Sequence, residues 1–239
     1  MRILKCMEKT KQASGYNWIS DFVYGGIDGS VTTFAAVAGV AGAQLSVSIV
    51  LIIGFANLLA DGVSMAVGKY SSDKAEKQRI QRIRRLEYQS IIDKPEEEIA
   101  EIEVILRNHG FTGKALESAV NVITHNKDAW VELMMKYEFN VAEEAIYPMR
   151  SAVTTFIAFN VVGLIPLLGY LFMPVLQMTE SEIFLLTCVF TMIALFTVGA
   201  IKSRVTDEAW WKSGVKTLLA GGIAATLAYA VGYFLRDLV

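Results

Sequence analysis

Two long apolar stretches near the start of the chain, Phe22–Ala43 and Ser46–Gly68, carry acidic and amide side chains in their middles. About 20 apolar residues at the helical rise cross a bilayer, so each stretch reads as a membrane helix. Asp28, Asn57 and Asp61 lie inside them, where an acidic side chain costs on the order of 3 kcal/mol on insertion scales. A membrane helix that keeps such a residue uses it for transport, proton relay or helix pairing. The stretch from Asp21 to Lys69 therefore reads as a metal-ion pathway around which the chain is organised.

Composition supports a membrane setting. With 54% hydrophobic residues and a mean hydropathy of +0.42, the 239-residue chain is too apolar for an ordinary soluble domain. The apolar runs cluster at residues 22–68 and 152–235, and the charges concentrate between Ser71 and Arg150. Three further spans are expected at Ala152–Met173, Ile183–Ile201 and Val215–Leu235, with a kink at Pro166. The expected fold is an all-α membrane protein of five transmembrane helices with a helical cytoplasmic insertion between the second and third. Residues 1–70 would hold the tail and the first two spans, 71–150 the insertion, and 151–239 the last three spans.

Lys and Arg fall in the tail, in the insertion and in the link holding Lys202, Arg204, Lys212 and Lys216. The Gln44 link is uncharged, and the link before Ile183 carries only Glu180 and Glu182. The positive-inside rule then places the N-terminus and the insertion in the cytoplasm and the C-terminus outside. The first twenty residues are polar and basic, unlike a cleavable signal peptide. Cys6 and Cys188 make neither a disulfide framework nor a zinc motif.

Within the insertion, helices are expected over residues 71–92, from Pro95 to a stop at Gly110, over 113–125, and over 128–144 with Asp128 as N-cap. Glu97 and Glu101 are spaced i,i+4, Glu98 and Glu101 i,i+3, and Met134 and Glu138 i,i+4. Oxygen ligands from several helices with one thioether would suit a metal ion, although a run such as EEEIAEIE is more often a solvated helix face. In the second span, Asn57, Asp61 and Met65 follow at i, i+4, i+8, one stripe of amide, carboxylate and thioether. That set fits a borderline cation such as Fe²⁺ or Mn²⁺, whereas the plain alternative is helix pairing by the polar groups and packing by Met65. Asp28 sits in GGIDG, whose Gly25 and Gly29 form a GxxxG pair suited to close approach of another helix or of a second copy. His109 and His125 read as helix-end residues.

DGSVTTFAAVAGVAGA and GFANLLADGVSMAVGKYSSDKAE, continued by PEEEIAEIEVILRNHG and AWVELMMKYEFNV, resemble the vacuolar iron transporter family over nearly the whole chain from Phe22. The resemblance implies a homodimer with a path at the dimer interface lined by the first helix of each subunit. It further implies export of Fe²⁺ from the cytosol in exchange for protons, with Mn²⁺ as the alternative ion. The pathway aspartate corresponds to Asp28 and the pathway methionine to Met65. The cytoplasmic metal ligands correspond to Glu87, Glu98, Glu101, Met134 and Glu138.

Two departures stand out. The family's first glutamate pair is ExxE, but Glu87 is followed three residues later by Ser90. Plant members have a glutamate in the second helix where this chain has Asn57, and Asp61 one turn later is the residue placed to take over its charge. The expected partners are a second copy, membrane lipid, divalent metal ions and protons, with no nucleic acid and no cofactor besides the transported ion. The expected location is the cell membrane of a bacterium, or the vacuolar membrane of a eukaryote. A membrane-anchored metal buffer or sensor is the reading from another class. An enzyme is disfavoured, since no nucleophile–base pair, phosphate loop or ExxH pair is present.

Overall fold

The computed structural model describes residues 16–141 and 145–238, and the basic tail before Tyr16 lies outside them. Among the described residues there are ten α-helices and no strand. They are α1 (Trp18–Gly42), α2 (Val47–Asp93), α3 (Pro95–Asn108), α4 (Gly113–Thr124), α5 (Lys127–Tyr137), α6 (Pro148–Gly163), α7 (Ile165–Leu171), α8 (Met173–Leu176), α9 (Glu180–Lys202) and α10 (Trp210–Leu235). The helices divide into two compact units, one of residues 16–72 with 147–238 and one of residues 73–146. Helix α2 contributes to both.

In the first unit, α2, α9 and the stretch Trp210–Leu238 are long and apolar enough to cross a membrane. Helices α6 and α7, bent by 40° at a break around Leu164, make a fourth span if counted as one. The break falls beside Pro166, whose missing N–H and bulky ring disfavour a straight helix. Helix α1 is 25 residues long but falls short of the same measure of hydropathy, because glycine, serine and threonine fill it and Asp21 and Asp28 lie within it. Five spans were expected; among the described residues three helices are long and apolar enough, or four with the bent pair.

Helix α1 is nevertheless the helix against which α6, α9 and α10 pack. Asn17 caps its start, the side chain accepting from the Ile19 N–H at 3.3 Å. A Cβ at Gly25 would strike the Thr155 carbonyl, and one at Gly29 the Phe159 carbonyl. The GxxxG pair is thus spent inside the chain, bringing α1 against α6. Farther along, Gly42 approaches the Tyr229 carbonyl and Gly232 the Gly39 carbonyl, which seats α10 the same way.

Helix α2 departs from the expected break after Lys69: it runs 47 residues without interruption. No proline or glycine follows Gly68 before Asp93, so nothing in the sequence stops it. From Ser71 to Arg79 most of its side chains are exposed.

In the second unit one apolar cluster joins all four helices: Ile91 from α2, Ile102 and Leu106 from α3, Leu116 from α4, and Trp130, Val131, Met134 and Met135 from α5. Ile102 and Met134 are fully buried, and each such side chain contributes roughly 1.5–3 kcal/mol. Helix α3 starts with Pro95 in its first turn and ends before Gly110, whose φ of +92° suits glycine. His109 and His125 cap the ends of α3 and α4. Helix α5 starts one residue earlier than expected. Asn126 is its cap, accepting from the N–H groups of Asp128 and Ala129 at 3.2 Å, and Asp128 lies in the first turn. The helix ends at Tyr137, and residues 142–144 of the longer helix expected lie outside the described residues.

Candidate metal centre

Each glutamate of the centre stands one helical turn from a residue of the insertion's apolar cluster. Glu87 precedes Ile91 by four residues, Glu98 precedes Ile102 by four, and Glu138 follows Met134 by four. Residues four apart share a helix face, so burying the three apolar side chains turns the three carboxyl groups toward one place. One carboxylate oxygen each from Glu87, Glu98 and Glu138 lies within 4.8 Å of the others. Glu87 and Glu98 are buried, at 3% and 8% exposure, and Glu138 is exposed as the C-cap of α5.

Such a gathering of like charges is costly in isolation. Burial, reinforced by the charges of Glu98 and Glu138, pushes Glu87 up to about 8. Burial with the charges of Glu101 and Glu98 pushes Glu138 up to about 6. Glu101 is also raised, by burial and by Glu98 and Glu97, and its carboxylate borders the cluster from an exposed position. Glu87 Oε1 and Glu98 Oε2 are hidden from solvent with no hydrogen-bond partner among the described residues. A proton relieves this arrangement in part. A divalent cation satisfies the orphaned oxygens and the charge together, and hard or borderline cations take such carboxylate sets.

Two of the remaining acidic residues of α3 are engaged elsewhere. Glu97 pairs with Lys94 at 2.7 Å and Glu103 with Arg107 at 2.5 Å. Of the run EEEIAEIE, Glu98 is the buried member and Glu101 its neighbour, while the others form the solvated face. Met134 is placed in the apolar core one turn before Glu138.

In the membrane-type unit, Asp28 on α1 and Asp61 on α2 are both half-buried and close enough to act on each other electrostatically. Met65 lines a separate pocket of about 430 Å³ with Ser20, Asp21, Tyr24, Gly68, Lys69 and Ser72. Asp21 is buried at 7% exposure, accepts from the Tyr16 hydroxyl at 2.8 Å and faces the Lys69 ammonium at 3.3 Å. The Tyr16 oxygen also lies 2.9 Å from Thr154 Oγ1 of α6 and, its one proton being given to Asp21, accepts from that hydroxyl.

Residues 19–233 match the sequence profile described as the VIT family. The chain belongs to the VIT family. It is 34% identical to a vacuolar iron transporter of Toxoplasma gondii over 93% of this chain and 76% of that protein. It is 33% identical to vacuolar iron transporter 1 of Eucalyptus grandis, and 32% to that of Arabidopsis thaliana, in each case over 89% of this chain and 84% of the relative.

Asp21 is an acidic residue of this VIT-family chain that the motifs do not single out. It stands seven residues before Asp28, two turns along α1, and that spacing was the signal available for it. Its buried pairing with Lys69 beside Met65 could be seen only once α1 and α2 were placed side by side.

Proposed function

We propose that this protein is a divalent-metal transporter that moves Fe²⁺ out of the cytosol in exchange for protons. The observation that carries the reading is the meeting of Glu87, Glu98 and Glu138 within 4.8 Å, with two buried oxygens left unpartnered. Membership of the VIT family and relatives named vacuolar iron transporters support the same ion.

In this reading the insertion collects the metal. Glu87, Glu98 and Glu138 bind it, Glu101 adds negative charge at the rim, and the Met134 thioether completes the donor set. Because Glu87 and Glu138 hold protons more tightly than free carboxyls, metal binding releases protons there. The bilayer is crossed five times, by α1, the apolar part of α2, the bent α6–α7 pair, α9 and α10. The insertion of residues 71–150 and the N-terminus lie in the cytoplasm and the C-terminus outside. Two copies assemble with α1 of each along the path, where Asp28 and Met65 pass the ion and Asp61 adds charge beside Asp28. An ion held by carboxylates in a low-dielectric path can be replaced by protons on the same oxygens, which makes exchange the natural cycle. Mn²⁺ meets the same donors and competes in the same path.

The test is Fe²⁺ flux into proteoliposomes under an imposed pH gradient, with and without Mn²⁺. Asp28→Ala should reduce flux to background. Unchanged flux would remove Asp28 from the path, and metal binding without flux in the wild type would make the protein a membrane-anchored buffer.

A further inference from the structure

At the end of the membrane-type unit where α1 turns into α2 and α9 begins, a pocket of about 320 Å³ has a lining unlike the metal centre. Three aromatic side chains, Tyr170, Phe184 and Tyr229, share it with one carboxylate, Glu180, one amide, Gln44, and the Ser181 hydroxyl. Gln44 is held there by a left-handed backbone, with φ +56°, in the short α1–α2 link. The Phe184 and Tyr229 rings lie 6.0 Å apart and tilted by 31°. Tyr170 is 4% exposed, and its hydroxyl makes no hydrogen bond among the described residues although it lines the cavity. Glu180 lies in the first turn of α9 at the exposed rim of the pocket, as do Gln44 and Ser181, near enough to Tyr170 to act on it electrostatically. Its neighbour Glu182 is occupied in the capping box with Thr179.

We propose that this pocket binds the primary ammonium of a phosphoethanolamine group, presented by a membrane phospholipid. A divalent metal is held best by several charged oxygens or by nitrogen and sulfur donors, and here one carboxylate stands beside neutral hydroxyl and amide oxygens only. Ring faces instead attract an organic ammonium, and the carboxylate and amide oxygens accept its N–H groups. The Gln44 amide N–H groups and the Ser181 hydroxyl are the donors for the adjoining phosphate. At ~30 Å³ per water the cavity has the space of about ten waters, room for such a headgroup. The pocket lies where apolar helices end, at the level where headgroups and tyrosines meet.

Native mass spectrometry of the full chain in micelles doped with phosphatidylethanolamine or phosphatidylglycerol of matched acyl chains tests this. The wild type should retain phosphatidylethanolamine about tenfold over phosphatidylglycerol, and Glu180→Gln should remove most of that preference. Phe184→Leu should lower it severalfold, and a thermal melt of each variant separates loss of binding from loss of fold. Equal retention of both lipids by the wild type, or a preference unchanged in a folded Glu180→Gln, overturns the site. Soluble phosphoethanolamine that competes at the lipid's own concentration supports the ammonium chemistry and overturns the lipid as its source. Displacement of the lipid by Mn²⁺ in the wild type but not in Glu180→Gln makes the pocket a metal site and overturns the proposal.

Discussion

Glu87 is the residue on which the insertion's chemistry turns. It is almost fully buried beside two other carboxyls, and its proton leaves only near pH 8, against 4.5 for an ordinary glutamate. A carboxyl raised in the folded state has no effect on stability below its unfolded value, and it lowers stability progressively from that value up to the folded one. The metal-free protein should therefore melt at progressively lower temperature from about pH 5 to pH 8, with Glu138 contributing to the loss up to about 6 and Glu87 up to about 8. Divalent metal should restore more stability at pH 8 than at pH 5, and differential scanning fluorimetry with and without chelator reads both. Glu87→Gln should raise the metal-free melting temperature at pH 8 while weakening metal binding by at least about tenfold in calorimetric titration. Spacing alone could not choose among the glutamates of α3. Glu97 shares its i,i+4 relation with Glu101, yet it pairs with Lys94, and Glu98 is the buried one. The signal that would have chosen was the distance of four residues from Ile102, a residue whose burial is decided by the other helices.

At the level of helices, α1 shows what small residues add to hydrophobicity. Its glycines let α6 and α10 approach until backbone meets backbone, so close van der Waals contact adds to the burial of its apolar side chains. Gly29→Leu should separate α1 from α6 and destabilise the protein by at least about 1–3 kcal/mol, seen as lost monodispersity and a lowered melting temperature in detergent. Gly68→Ala is the control, because nothing lies near its added methyl, and inside a helix it should be as stable as wild type or more so, by up to about 1 kcal/mol. The GxxxG pattern and Pro166 were legible in the sequence as close approach and bend. Which partner Gly25 and Gly29 would meet was not, since any helix or a second copy satisfies the same pattern. The unbroken length of α2 was missed for a different reason. A change from apolar to charged composition marks a change of surroundings, and a helix needs no break to pass through one.

For the molecule as a whole, transport and metal capture should be separable. Asp28→Asn should abolish proteoliposome flux while leaving metal binding by the insertion intact. Glu87→Gln with Glu98→Gln should leave flux measurable at high Fe²⁺ and raise the concentration needed for half-maximal rate. Family membership was legible in long motifs, and the all-helical fold in the periodicity and apolar runs. Between Lys69 and Arg85 helix α2 carries seven lysines and arginines, and most side chains of Ser71–Arg79 are exposed. Trypsin needs only a local opening of a few turns to cut there. Limited digestion should first yield a nick in this stretch. Added metal should slow cleavage after Arg84 and Arg85, next to Glu87, and leave cleavage after Lys74 and Lys77 unchanged, so that the ladder of fragments becomes a gauge of occupancy along a single helix.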